Sequence, residues 1–455
     1  MAEGHVKGEW MQMTADMMSW QPTIALLIFL IAYAIWMTEQ WNRALVALVA
    51  AMLFLLLGIV QWSGAIRLDI NWDTLLLWAG LMVMAAVLGR TGWIEHIAVL
   101  FIRHSGRRPA LVYLYLMLVA GVGAALLDPV TMMLLLVPII LAVAGAFRLS
   151  AIPLLIGAVL ATNIGGTATL IGQPVNMWLG TANRQLDFTA FITALGPLVL
   201  VLFVLNTGLV WLCYCKTLRF QPSVLQPDAL AMLKSDKVGT KRSLALRVVV
   251  PVLFVLIIVA LALAPHLGWT PGTVAAGGAV LLLLAGKFSG GIRPLAVLKQ
   301  LEWDTLLFFV GLFIIVGGLA HTGWIAAGAT YLIELTDGNI QLVAMIVLWV
   351  TGLLSAAMEH MPLVATMIPL LQETGQQMEA SSPALLNPLW WSLALGAGIG
   401  SSGTLLGSAA GLIAASMAER SGEKLRYVEF LRITLPLTLL SLLLSSLYVL
   451  YVLMP

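Results

Sequence analysis

Charge is scarce in this chain: Asp, Glu, Lys and Arg together make 10% of 455 residues, where soluble domains carry about 25%. That excludes an ordinary water-soluble globule. Cysteine is nearly absent. Cys213 and Cys215 stand one residue apart at the end of an apolar run, too close for a mutual disulfide and with no other partner. They read as an incidental pair at a membrane edge. No HExxH, paired CxxC, P-loop or GxSxG occurs, so no catalytic constellation argues for an enzyme. No cofactor or metal is called for. Without a nucleotide site, energy for any work must come from an ion gradient or an ATPase partner. A net charge of +2 gives no reason to expect nucleic acid. Residues 1–22 also lack the basic start and apolar core of a cleavable signal, and read as a separate N-terminal segment.

What is present is apolar. Such residues make 61% of the chain, and mean hydropathy is +1.01. Runs of roughly 20 apolar residues, long enough to cross a bilayer, begin near Thr23, Ala44, Thr74, Leu111, Pro153, Phe191, Val248, Gly272, Thr305, Leu342, Leu389 and Leu435. The expectation is an all-α polytopic membrane protein.

The strongest organisational signal is an internal repeat. WDTLLLWAGLMVMAAVLGRTGWI at 72–94 returns as WDTLLFFVGLFIIVGGLAHTGWI at 303–325. The offset of 231 residues that carries Asp73 onto Asp304 also carries Asp128 onto Glu359 and Pro138 onto Pro369. Further along the offset becomes 235, laying ATNIGGTATLIGQPVN (161–176) over GAGIGSSGTLLGSAAG (396–411). Repeats of 23–215 and 248–455, joined by a linker at 216–247, are the duplicated plan of many transporters.

The linker holds Lys216, Arg219, Lys234, Lys237, Lys241, Arg242 and Arg247, so the positive-inside rule puts it in the cytoplasm. The Arg103–Arg108 cluster, Arg148, Lys287 to Lys299 and Arg420 to Arg432 then fall on the same side. The segments 320–341 and 371–388, without Lys or Arg, fall outside. This map closes with ten spans plus two opposed re-entrant hairpins, at about 109–147 and 339–371, which makes the two repeats inverted. The run from Trp93 through Ile94, Glu95 and His96 suggests a short amphipathic helix in the cytoplasmic interface.

Irregular backbone at membrane depth survives only inside protein or around a wet cavity. Two features predict it. The hairpin tips are Leu127-Asp128-Pro129-Val130-Thr131 and Met358-Glu359-His360-Met361-Pro362. The Gly/Thr/Ser stretches at 163–176 and 398–411 predict two broken helices, because Gly165, Gly166, Gly172 and Pro174 disfavour an unbroken one. Breaks free amides and carbonyls to bind solute. Thr131, Thr162, Asn163, Gly165, Gly166, Thr167, Thr169, Asn176, Gly400, Ser401, Ser402 and Thr404 are the candidate substrate-binding residues, and Ser408 adds another neutral oxygen. Asp128 and Glu359 are the candidate proton-coupling acids, whose burial would raise their pKa, with His360 beside them. The competing reading is close helix packing by small residues. It is preferred for Gly121, Gly123, Gly317 and Gly318, whereas a break repeated in register opposite an acidic tip favours a site. Asp73 and Asp304 read as interfacial helix starts.

LLDPVTMMLLLVPI, ATNIGGTATLIGQPVN, LFFVGLFIIVGGL and MEHMPLVATMIPLL, with the second Gly-rich loop, resemble the ion transporter superfamily over nearly the whole chain. Within it they look closest to the branch of arsenite efflux permeases, type D sodium–proton antiporters and pink-eyed-dilution proteins. The resemblance implies a scaffold domain, a mobile transport domain with elevator-like movement, and a homodimer. It places substrate and coupling ions at the tips and broken-helix loops. The family tips commonly read Asp-Asn-x-Thr and Asp-Asn-x-Pro. Here Pro129 replaces the first Asn, and Glu359-His360 replace the second Asp-Asn, which weakens a sodium site and favours H⁺. The Ser-Asn-Thr tips of the dicarboxylate and citrate branch are missing, and no Arg or Lys sits in the site, so that branch ranks low.

The resulting expectation is a secondary transporter of the bacterial inner membrane that exchanges a small inorganic solute, arsenite or antimonite, for H⁺. Its alternatives are a Na⁺/H⁺ antiporter and, more distantly, a channel or the membrane subunit of an ATPase-driven pump.

Overall fold

A computed structural model describes residues 2–38, 40–104, 108–147, 149–217, 244–290, 292–378 and 386–454. Every regular element among them is helical. In chain order the main helices are α1 (Ala2–Thr38), α2 (Arg43–Leu56), α3 (Trp72–Gly89), α4 (Trp93–His104), α5 (Pro109–Leu127), α6 (Pro129–Phe147), α7 (Ala151–Thr167), α8 (Pro174–Ala182) and α9 (Phe188–Tyr214). They continue with α10 (Leu244–Leu263), α11 (Pro271–Gly290), α12 (Trp303–His321), α13 (Trp324–Leu335), α14 (Ile340–Ala357), α15 (Met361–Gln377), α16 (Asn387–Gly400), α17 (Ala409–Arg420) and α18 (Tyr427–Tyr448).

Among the described residues, ten helices are long and apolar enough to cross a membrane. They are not the ten spans read from sequence. The run from Leu111 is two helices, α5 and α6, each long enough by itself, while α2 has only 14 residues and α7 only 17. The two helices expected to form the second hairpin, α14 and α15, fall largely in different compact units, and α15 runs on to Gln377. The amphipathic segment at Trp93 is helix α4. The N-terminal segment and the first apolar run are one helix, α1. Of the linker, 218–243 lies outside the described residues, and α10 already begins at Leu244.

The chain divides into two compact units drawn from both repeats, a division that the order of the halves did not suggest. The first comprises Met1–Leu75, Glu302–Val343 and Met361–Leu386. Its core is α2 laid along α12. Gly311 and Gly318 bring α12 down onto Ala47 and Phe54, where a side chain at either position would collide. Small residues allow such close approach, which replaces the hydrophobic effect as the adhesive between helices in lipid. Asn42 caps α2 by accepting from the Leu45 amide at 3.1 Å. Trp36 packs edge-to-face on Phe308 at 5.4 Å. The indole of Trp324 donates to the Pro22 carbonyl at 2.7 Å.

The second unit comprises Leu76–Leu301, Ala344–His360 and Asn387–Pro455. At its centre α7 and α16 are buried on nearly every side. A helix apolar all round with no lipid-facing stripe is what a protein-enclosed element should be. Gly157 seats against Met117 and Tyr113, and the Tyr113 hydroxyl donates to the Thr207 carbonyl on α9 at 3.2 Å. Phe191 meets Trp391 edge-to-face at 5.0 Å. Asn206 donates to Ser441 at 2.9 Å and Trp349 to Ser446 at 3.0 Å, tying α9 and α14 to α18. By contrast, α10 turns Val248, Val252, Val255, Leu256 and Val259 outward, the apolar exposure a lipid-facing helix requires.

Candidate functional site

Every residue that sequence reasoning proposed for the site lies in the second unit. The first hairpin turns at Asp128, whose φ of 93° and ψ of 153° fall in a region costing about 1–3 kcal/mol for a residue other than glycine. Two neighbours compensate. Pro129 requires an extended ψ before it and starts α6 with no amide to satisfy. The Asp128 carboxylate accepts from the Thr131 amide at 2.8 Å, capping α6. Gly123, before the tip, abuts Met132 beyond it, as an antiparallel hairpin demands. Asp128, Glu359 and His360 are only partly buried, so the acidic tips are more open than the expected sealed carboxyls.

The breaks fall later than the glycines suggested. α7 runs unbroken through Thr162, Asn163, Gly165, Gly166 and Thr167, and the non-helical stretch is 168–173. Asn176 lies in α8. In the second repeat α16 continues to Gly400 and the break is 401–408. Gly165 is there for proximity: a side chain on it would strike the Gly121 backbone. Gly400 stands against Gly352 in the same way, 231 residues on from Gly121. Further contacts recur in register. Thr169 donates to the Ala125 carbonyl at 2.5 Å, and Thr404 to the Ala356 carbonyl at 2.6 Å. Gly172 closes on the Gly166 carbonyl, and Gly407 on that of Ser401. Each break is thus bonded to the helix end three residues before its own acid.

Each break also meets the broken helix of the other repeat. Ser408 donates to the Asn163 side-chain oxygen at 3.1 Å, and Gly398 is bare where Thr167 and Gln173 approach it. Most predicted hydroxyls serve as internal donors: Thr162 to Val159, Thr167 to Asn163 and Ser401 to Gly398, all to carbonyls. The Asn176 amide stitches the first break by donating to the carbonyls of Gly166, Thr167 and Thr169. Gln173, which sequence reasoning passed over, donates to the Asn163 carbonyl at 2.8 Å and to Thr167 at 3.2 Å. Its position before Pro174, at the N-cap of a predicted half-helix, was the available signal.

On the two breaks and the helices that flank them, Asn163 Nδ2, Gln173 Oε1, Asn176 Oδ1 and Ser402 Oγ are among the buried polar atoms without a hydrogen-bond partner among the described residues. All four residues are at most 3% exposed. Buried polar atoms are normally paired, and orphans mark a ligand or a strain reservoir. Moreover Gln173 and Ser408, the N-cap residues of α8 and α17, make no cap bond to their own helices. Both helix starts therefore present amides and positive dipole ends. Neither Lys nor Arg occurs at 149–183 or 340–419, so these segments themselves offer only helix dipoles as a source of positive potential.

The comparisons with known proteins agree with this architecture. The crystal structure of the Alcanivorax borkumensis YdaH transporter superposes with a TM-score of 0.58 at 16% identity, covering 87% of this chain and 89% of that one. It shares the fold. A Mycobacterium tuberculosis protein described as an uncharacterised transporter is 33% identical, over 93% of this chain and 97% of its own length. The 46 kDa membrane protein of Mycobacterium leprae is 31% identical with the same coverage. The human P protein, of the pink-eyed-dilution type that the motifs resemble, is 29% identical over 92% of this chain and 59% of its own length. A sequence model described as citrate transporter matches residues 33–396. The low rank that missing Ser-Asn-Thr tips gave the citrate branch therefore does not hold for family membership, whatever the cargo. Helices that span, a buried polar junction and relatives that transport converge on one statement: this chain is a membrane transporter of the citrate transporter family.

Proposed function

We propose that the protein is a proton-coupled secondary transporter of a small, uncharged, oxygen-rich solute, with arsenious or antimonous acid the cargo to test first. The observation that carries this is the group of orphaned buried atoms on the breaks and the helices flanking them, Asn163 Nδ2, Gln173 Oε1, Asn176 Oδ1 and Ser402 Oγ. Donors and acceptors are mixed, as a hydroxylated solute needs, and no side-chain cation offsets a multivalent anion. Asp128 and Glu359, each three residues beyond a carbonyl bonded to its break, are the proton carriers, with His360 assisting the second. Protonating a tip would alter the junction through that three-residue link. The repeats are taken as inverted and the movement as elevator-like, in a bacterial cell membrane with the 216–247 linker cytoplasmic. A homodimer follows from the resemblance alone.

The test is proton movement in proteoliposomes under a preset pH gradient, with arsenite, Na⁺ or citrate added separately. A response to arsenite without Na⁺ supports the proposal. A response only to Na⁺ makes the protein a cation antiporter. A response only to citrate returns the cargo to the one in the family's description. No proton movement with any cargo, in protein that transports when given ATP and a partner, would favour a pump subunit.

A further inference from the structure

The repeat has a second set of equivalent contacts, far from the tips in sequence. The offset of 231 residues carries Arg90 onto His321 and Asp69 onto Gln300. In the second unit Arg90, just past α3, donates to the Gln300 side chain at 2.7 Å and the Ala296 carbonyl at 3.0 Å. In the first unit His321, the last residue of α12, lies 3.3 Å from the Asp69 carboxylate. Each contact grips the segment just before the chain crosses between units, at Leu75–Leu76 and Leu301–Glu302. One grip carries a permanent charge. The other pairs an imidazole with a carboxyl.

The seat of Asp69 is built. It ends a π-helical turn, Ala65–Asp69, fixed by the Trp72 indole donating to the Ile66 carbonyl at 2.8 Å. Its carboxyl lies against the bare backbone of Gly317, where a Cβ would fall 2.5 Å from it. The side chain is 6% exposed, and Oδ2 has no hydrogen-bond partner among the described residues. His321, 45% exposed, is the way in for a proton. Other charged groups on neighbouring elements are remote along their helices: Asp304 opens α12, Arg43 opens α2 beside the start of α12, Glu334 is ten residues into α13, and Glu373 accepts from Gln377 on α15. Arg67 shares the turn and is exposed.

We propose that Asp69 and His321 form a second proton-binding site, separate from the tips, that clasps the first crossing of the chain, while Arg90 and Gln300 clasp the second at every pH. The clasp closes when Asp69 is ionised and His321 protonated. Discharging the imidazole opens it, histidine being the residue type used for switches of this kind. Lowering the pH neutralises the carboxyl, which burial pushes up and His321 pulls only partly back. A buried acid held this way is poor evidence of added stability, and its pairing with a half-exposed histidine suits a sensor.

The test is hydrogen exchange of the full-length protein in nanodiscs, following the 62–72 segment against 290–303, corrected for intrinsic rates. It needs no cargo, so it stands or falls apart from the transport reading. Between about pH 6 and pH 8.5 the wild-type 62–72 segment should lose protection about three- to fivefold, and 290–303 should not change. His321→Arg should keep the low-pH level throughout, and His321→Gln the high-pH level. A flat wild-type profile, or a wild-type slope surviving in both His321 variants, overturns the proposal. If Asp69→Asn folds, it too must be flat.

Discussion

Alanine at Gly165 or Gly400 is the sharpest check on the way this interior is assembled. In a helix exposed on that side, Gly→Ala stabilises by about 0.5–1 kcal/mol because it narrows the unfolded ensemble. Gly208 and Gly277 are such positions, with nothing within 4 Å of where the alanine methyl would stand. At Gly165 the methyl carbon would lie 2.7 Å from the Cα of Gly121, and at Gly400 2.7 Å from the Cα of Gly352, where ordinary contact begins at 3.4 Å. Backbone stands on both sides, so no side chain can swing away. Overpacking of this kind costs about 1–3 kcal/mol. The clashing and open positions should then differ by roughly 1.5–4 kcal/mol, tenfold or more in the folded-to-unfolded ratio. Reversible unfolding in mixed micelles, followed by tryptophan fluorescence, would measure it. Gly165→Ala and Gly400→Ala should lose similar amounts, since the contact is the same in both repeats. Values for them that match Gly208→Ala and Gly277→Ala would refute the close crossing of α5 with α7 and of α14 with α16.

Three other outcomes are expected. Thr169→Val and Thr404→Val each remove one buried donor to a helix-end carbonyl and should destabilise by about 1–3 kcal/mol in the same unfolding assay, because the carbonyls of Ala125 and Ala356 are left without that bond. Asp128→Asn keeps an oxygen for the Thr131 amide and should fold with wild-type stability yet lose proton-coupled transport in proteoliposomes, whereas Asp128→Ala should lose about 1 kcal/mol as well. The raised Asp69 carboxyl favours the protonated form in the folded state, so its contribution is present at low pH and is lost as pH climbs through the folded pKa. Asp69→Asn should therefore flatten the stability–pH curve just above the ordinary carboxylate range without lowering stability at neutral pH.

The sequence displayed its repeat plainly, because Trp-Asp-Thr-Leu-Leu and Thr-Gly-Trp-Ile sit at helix ends where each residue type has a local task. It was less clear about where helices stop. Gly165 and Gly166 looked like breakers, but glycine inside a tightly enclosed helix serves the neighbour's backbone, and the chain leaves the helix only after Thr167, in the stretch that Gly172 and Gln173 end. The acids at the tips stood out as charges in apolar surroundings. Gln173 did not, because an amide near a proline has no distinctive spacing, and its importance rests on Asn163 and Thr167 being folded back against it. The two units were hidden for a related reason. Which unit each stretch of α3 and α14 belongs to depends on contacts between residues far apart in the chain, as α2 and α12 are joined through Ala47 and Gly311.

Helices α7 and α16 are enclosed on almost every side, and this bears on how the protein is made. At 17 and 14 residues, about 25 and 21 Å long, they fall short of a hydrocarbon core of about 30 Å. With Asn163 and Thr162 aboard, α7 has little reason to stay in lipid alone when it leaves the ribosome. Its companion α16 is synthesised more than two hundred residues later. The first repeat must wait, half finished, in the membrane until the second arrives, and the translocon or an insertase has to shelter α7 in the interval. Truncating the nascent chain before Asn387 should leave α7 open to water-soluble reagents that the complete protein keeps out.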